Sequence, residues 1–167
     1  MESNSTYYKT PIGFAEIIGD KNGIQSIGLI DNNTNEQGLE KFNLPQDIPE
    51  CLQECALQLK EYFKGERTKF DLLLNPQGTS FQKLVWKELC NIPFGKTRSY
   101  LAQSKLIGDP KAVRAVASAN GKNPIWIVVP CHRVIGSNGS LTGYAGGLWR
   151  KKWLLDHESP VKQQSLF

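Results

Sequence analysis

The chain has 167 residues, 40% of them apolar and 22% charged, with a formal net charge of +4. That length suits one domain or two small ones, and the apolar content supports a packed core, which excludes a wholly disordered chain. The longest uninterrupted apolar run, Ile125 to Val129, has five residues, against the roughly 20 that a membrane-spanning helix needs. The amino terminus lacks the basic start and apolar stretch of a signal peptide, so the expectation is a cytoplasmic protein that does not engage a membrane.

From Tyr7 to Ile30 the sequence alternates, and Lys21-Asn22-Gly23 between two apolar runs predicts a hairpin. Residues 32–38 read as a polar loop. Pro49 opens a helical pattern in which Leu52, Cys55, Ala56, Leu59 and Phe63 recur at threes and fours, and Gly65 closes it. Thr68 to Leu74 reads as a further strand. Residues 1–79 are therefore expected to form a small supporting subdomain of mixed sheet and helix. Cys51 and Cys55, four apart on one helical face, read as core residues or, less convincingly, as one half of a zinc site. Cys90 also reads as core.

Charge divides the chain. Residues 1–80 carry 7 basic and 12 acidic side chains, residues 81–158 carry 12 and 4. A basic carboxyl-terminal half fits a polyanionic partner such as nucleic acid, or simply a solvated lysine surface. Thr79 and Gln82 form a capping box, and Phe81, Leu84, Val85 and Leu89 are expected to line the buried face of the helix that follows. A second helix spans Ser99 to Leu106. Asp109-Pro110 caps and opens a third that runs to Asn120. Two short helices around a glycine-containing turn have the outline of a helix-turn-helix, which a structural helical corner shares. Small residues surround Arg114 in the third helix, which suits close helix packing or entry into a DNA groove with Arg114 pushed into the base stack. Ile125 to Val129 reads as a buried extended run that delivers Cys131. A last helix covers Leu148 to His157, and residues 159–167 read as a frayed tail.

Pro130-Cys131-His132-Arg133-Val134 closely resembles the active-site motif of the O6-alkylguanine-DNA alkyltransferases. The resemblance runs over residues 80–158, through FQKLVWKELCNIPFGKTRSY, KAVRAVASANGKNP, GYAGG and WLLDHE. The first 79 residues resemble the family only in length and in their strand-then-helix outline. The fold implied is α+β, the small amino-terminal subdomain being followed by a mainly helical DNA-binding subdomain over residues 80–158.

The resemblance implies that Cys131 is the alkyl acceptor, that His132 acts on it through a water, and that Glu158 orients the imidazole. It implies that Asn123 holds the turn, that Tyr100 donates toward guanine N3, and that the Ala145 N–H serves O6. Carbonyls at Cys131 and Val134 would receive the exocyclic amine, and Arg114 would replace a flipped nucleotide. Trp126 would narrow the base pocket, with Tyr144 the next residue able to set its width. The implied activity is single-use transfer of an alkyl group from O6-alkylguanine, and from O4-alkylthymine, in duplex DNA to the protein's own cysteine. The implied protein is a monomer that needs no metal or cofactor; the amino-terminal zinc site of vertebrate members has no matching Cys and His set here. The chemistry is self-consistent, because an in-line displacement needs a thiolate, an open approach and donors for the leaving base. A cysteine hydrolase is a poorer fit, since such enzymes bring cysteine and histidine together from distant segments. A damage sensor without repair activity would lack the acceptor thiol. Gly95-Lys96-Thr97 is similar to the end of a phosphate loop, but Cys90 stands where the first glycine would have to be.

Overall fold

A computed structural model describes residues 3–31 and 48–160. The expected loop at 32–38 and residues 161–167 of the expected tail lie outside the described residues. Contacts divide the chain into two units, one of Met1–Gln77 with Pro124–Trp126, the other of Gly78–Asn123 with Ile127–Phe167.

In the first unit, β1 (Asn4–Thr10), β2 (Gly13–Asp20) and β3 (Gly23–Ile30) form an antiparallel meander in the order β1-β2-β3. The hairpin at Lys21-Asn22 is present, closed by Asp20 paired with Gly23 and by the Asn22 N–H donating to Asp20 Oδ1 at 2.8 Å. Gly23 has φ 133°, and a Cβ there would lie 2.8 Å from the Leu73 carbonyl oxygen, so both conformation and space require glycine. Helix α1 (Glu50–Phe63) buries Leu52, Cys55, Ala56, Leu59 and Tyr62, and it packs on the sheet. Thr68 to Leu74 is not a strand. Only Leu74 bridges, in parallel, to Ile24. The buried Gln58 side chain takes the Asp71 main chain instead, donating to its carbonyl at 3.0 Å and accepting from its N–H at 2.9 Å. Of the three cysteines expected in the core, Cys55 is buried, Cys51 is half-buried and Cys90 is exposed just past the end of a helix.

The second unit is mainly helical. Helix α2 (Ser80–Leu89) starts at the expected capping box, with Gln82 N–H donating to Thr79 Oγ1 at 3.1 Å and Thr79 N–H to Gln82 Oε1 at 2.9 Å. Its buried face differs from the expected one: Val85, Trp86 and Leu89 point inward, whereas Phe81 and Leu84 are 37% and 50% exposed. Trp86 sets this rotation, because its Nε1–H donates to the Ala119 carbonyl at 2.8 Å. Helix α3 (Tyr100–Ile107) has Ser99 as its N-cap and Gly108, at φ 106°, as its C-cap. Helix α4 is Val113–Gly121, starting later than expected. Asp109 consumes the preceding N–H groups in a turn, with Lys111 N–H donating to its Oδ1 and Ala112 N–H to its carbonyl.

The run Ile125 to Val129 is not extended either. Ile125 makes one bridge to Ile27, and Ile127 then takes φ 74°, a left-handed conformation that strains a β-branched residue. Cys131–Arg133 follow as a single 3-10 turn leading into β5 (Val134–Ile135). Strand β5 pairs in parallel with β4 (Arg98–Ser99). The residue after β4 is Tyr100 and the residue before β5 is Arg133, so this two-residue ladder fixes the start of α3 against the Cys131 turn. Helix α5 (Leu148–Glu158) ends the described elements of the unit and buries Arg150 and Lys151. No helix among the described residues is long and apolar enough to cross a membrane.

The capping box gives a direct test of how α2 is held. Thr79→Ala should lower the unfolding free energy by about 1 kcal/mol, read from the denaturant midpoint at unchanged slope. A change within experimental error would mean that packing alone sets the start of the helix.

Candidate active site

Cys131 is buried at the wall of a cavity of about 360 Å³ that is also lined by Tyr100, Arg114, Asn120, Tyr144 and Ala145. Helices α3 and α4 supply the first three of these residues, and the loop before α5 supplies the last two. The Asn123 side chain spans the strained turn, donating from Nδ2 to the Val129 carbonyl at 2.8 Å and to Cys131 Sγ at 3.3 Å. Burial pushes the Cys131 thiol up to about 11, although the Asn123 hydrogen bond and the Lys151 charge both pull the other way. At neutral pH the group is a thiol, and it needs a base to become a nucleophile.

An imidazole stands next in the chain. His132 is fully buried, and its Nε2 lies 2.7 Å from Glu158 Oε2. Its Nδ1 is buried and makes no hydrogen bond to any described residue. Burial lowers the His132 pKa against the opposing pull of Glu158, which favours the neutral imidazole. Glu158 also receives Arg133, whose Nε donates to Oε1 at 2.7 Å and whose Nη2 donates to Oε2 at 3.1 Å. Burial works against the Glu158 carboxylate, but His132 and Arg133 together outweigh it and hold the pKa down at about 2.

The structure thus brings Cys131, His132, Glu158, Asn123, Tyr100, Arg114, Tyr144 and Ala145 into one neighbourhood. His132, Glu158 and Asn123 do not themselves line the cavity, and of the residues expected to contact the substrate Val134 and Trp126 also fall outside its lining. Val134 is fully buried, with its N–H donating to the Cys131 carbonyl inside the turn. Trp126 clusters with the first unit through its N–H, which donates to the Ile27 carbonyl at 3.0 Å. Trp126, expected to narrow the pocket, is not among the lining residues, whereas Tyr144, the alternative, is.

Sequence reasoning missed Arg133 and Lys151. Lys151 is fully buried and donates to the carbonyls of Thr142 at 2.9 Å and Gly143 at 3.2 Å and to Tyr100 Oη at 3.5 Å. Burial lowers its pKa to about 8, with Cys131 opposing. The signal was present in the spacing: Lys151, Leu154 and Glu158 lie three and then four apart, on one helical face. Among the described residues, no three His, Cys, Asp or Glu side chains gather as a metal site.

A buried thiol at the wall of a solvent-facing cavity, followed in the chain by an imidazole paired to a buried carboxylate, suits an enzyme whose own cysteine enters the reaction covalently. The chain matches the 6-O-methylguanine DNA methyltransferase ribonuclease-like domain over residues 5–76 and the DNA binding domain of the same family over residues 80–160. The methylated-DNA--protein-cysteine methyltransferase of Methanosarcina acetivorans is 46% identical over 154 residues, which cover 90% of this chain and 95% of that protein. The protein of the same name from Mycobacterium bovis is 58% identical over 101 residues, 60% of this chain and 61% of its own. The crystal structure of Mycobacterium tuberculosis O6-methylguanine methyltransferase superposes with a TM-score of 0.79 at 40% identity, covering 99% of this chain and 100% of that one. Mycobacterium tuberculosis OGT in complex with DNA also gives 0.79 at 40% identity, over 95% of this chain and 96% of that one. The chain belongs to the 6-O-methylguanine DNA methyltransferase family, and its enzyme class is methyl transfer from methylated DNA to a protein cysteine.

The buried charges predict acid sensitivity. The Glu158 pKa falls from the ordinary 4.5 to about 2 on folding. Between those values the unfolded chain carries a proton there that the folded chain lacks, so stability is lost as the pH falls through the window. The lowered His132 pKa acts with the same sign, starting below about 6.5. Glu158→Gln should flatten the plot of unfolding free energy against pH by about one proton between pH 4.5 and 2. Parallel plots for the two proteins would contradict this account of the buried carboxylate.

Proposed function

We propose that the protein repairs duplex DNA by moving the alkyl group of O6-alkylguanine, and of O4-alkylthymine, onto Cys131 in a single-use reaction. The observation that carries this reading is the presence of Cys131 in the cavity lining with the His132–Glu158 pair immediately behind it. In this reading the thiol proton passes through a water to His132 Nδ1, and the sulfur attacks the alkyl carbon. The C–O6 bond breaks, and its electron pair leaves with the base. The departing guanine takes a proton at N3 from Tyr100, whose hydroxyl otherwise donates to the Thr142 carbonyl at 3.2 Å, while the Ala145 N–H serves O6. The imidazolium proton returns the phenol to its starting state through solvent. The thioether has no leaving group that would regenerate the thiol, so each molecule reacts once.

The duplex must surrender its base to reach Cys131, and flipping costs a few kcal/mol. Helices α3 and α4 act here as the helix-turn-helix, with α4 entering a groove and Arg114 filling the gap in the stack. Arg114 is exposed on α4 and also lines the cavity, and its neighbours Ala115, Ala117 and Ser118 are exposed and small, which permits close approach to a duplex. One molecule bears the whole site, consistent with action as a monomer.

Incubation with a duplex carrying O6-methylguanine should add one methyl group to the peptide containing Cys131, with guanine restored in equal amount. Cys131→Ala should abolish transfer and retain DNA binding. More than one turnover per protein, or a methyl on Cys51, Cys55 or Cys90, would reject the mechanism. Arg114→Ala should slow transfer from duplex DNA by about tenfold or more while affecting the free base much less, because only the duplex has a gap to fill. Equal losses on both substrates would remove Arg114 from that role.

A further inference from the structure

The buried face of α3 is polar. Its inward residues are Gln103, fully buried, and Ser104, whose hydroxyl is spent on the Tyr100 carbonyl at 2.9 Å. Gln103 faces Asn120 of α4, and the two amides pair reciprocally, Asn120 Nδ2 donating to Gln103 Oε1 at 3.0 Å and Gln103 Nε2 to Asn120 Oδ1 at 3.2 Å. Two apolar side chains of similar volume would fill the same space without desolvating four polar groups. What the pair does, and they could not, is hold an amide rigidly at the cavity wall that carries Cys131, since Asn120 is part of that lining.

A primary amide has two N–H donors and two acceptor lone pairs. The clamp uses one of each on Asn120. We infer that Asn120, positioned by Gln103, is a specificity-determining residue for the transferred group, favouring alkyl substituents that bear an oxygen, such as 2-hydroxyethyl, over apolar ones of equal size. The inference rests on the alkyl-transfer reading above. An oxygen on the substituent exchanges its lost water for the remaining amide capacity, whose rotamer entropy the clamp has already removed. An apolar substituent covers the same amide and leaves its second N–H and second lone pair unpaired, a larger penalty than the loss of a contact. Val113, Ala117 and Gly121, which line the cavity from the same helix, offer a substituent no side-chain polar group to compensate, and Arg114, the helix's remaining lining residue, is the side chain assigned above to the gap in the duplex.

The test compares second-order rate constants for duplexes carrying O6-(2-hydroxyethyl)guanine and O6-propylguanine, whose substituents have equal heavy-atom counts, read as adduct mass on the Cys131 peptide. The hydroxyethyl-to-propyl ratio should fall about tenfold from wild type to Asn120→Leu, the change that one net hydrogen bond supports. Should the single variant fail to fold with Gln103 left unpaired, Gln103→Leu combined with Asn120→Leu replaces both amides together, and the same fall is expected. Taking the ratio within each variant cancels any loss common to both substrates. A ratio equal to that of wild type overturns the inference. Transfer from O6-methylguanine by the wild-type protein, run alongside, separates the two failures: no adduct there would reject the alkyl-transfer reading itself.

Discussion

The Glu158 carboxylate organises the site. It closes α5 and receives two consecutive side chains of the Cys131–Arg133 turn, His132 on one oxygen and Arg133 across both. Arg133 also donates to the Ile92 carbonyl at 2.7 Å, just beyond α2. The Glu158 carboxylate and the Arg133 guanidinium together therefore tie a 3-10 turn of three residues, too short to hold itself, to segments 25 residues ahead and 41 residues behind Arg133. Taking these charges out of water would cost several kcal/mol per ion if they were left unpaired. The close paired geometry is what makes the burial tolerable, and it leaves little freedom for the adjacent thiol.

That constraint also governs reactivity. The enclosure that positions Cys131 disfavours its charged form, so placement and activation pull against each other. Asn123 and Lys151 ease the conflict without removing it, and the thiol pKa stays near 11. Lys151 meanwhile anchors the loop at Thr142 and Gly143 and touches Tyr100, so the cavity wall and the phenol of the proposed proton donor share one buried cation. In the proposed reaction the neutral imidazole at His132 is the group that takes the proton when a substrate arrives.

Local signals in the sequence carried the helices well, because caps and periodicity are written in neighbouring residues. The Thr79–Gln82 box falls where the letters put it, and the helix expected over Ser99 to Leu106 runs from Tyr100 to Ile107, with Ser99 as its cap and Gly108 as its stop. Long-range choices were not legible. Nothing near Phe81 says that Trp86 will find the Ala119 carbonyl and rotate α2, nor that Gln58 will take the Asp71 main chain from the sheet. The apolar run at Ile125 to Val129 looked extended because hydrophobicity alone cannot reveal that Asn123 would fold it back into a turn. The site was legible where one short motif concentrates it. Its supports, Arg133 and Lys151, were hidden by the prior that cations face water.

The central claim is that Cys131 rests as a neutral thiol and becomes a nucleophile only by giving its proton to the His132 side of the site. The most direct measurement is the 13C chemical shift of the Cys131 Cβ through a pH titration, assigned by comparison with Cys131→Ala. The account predicts a thiol shift that persists through neutral pH and moves only toward about 11. A midpoint at or below the ordinary cysteine value of about 8.5 would mean that the site holds a preformed thiolate, and the account would be wrong.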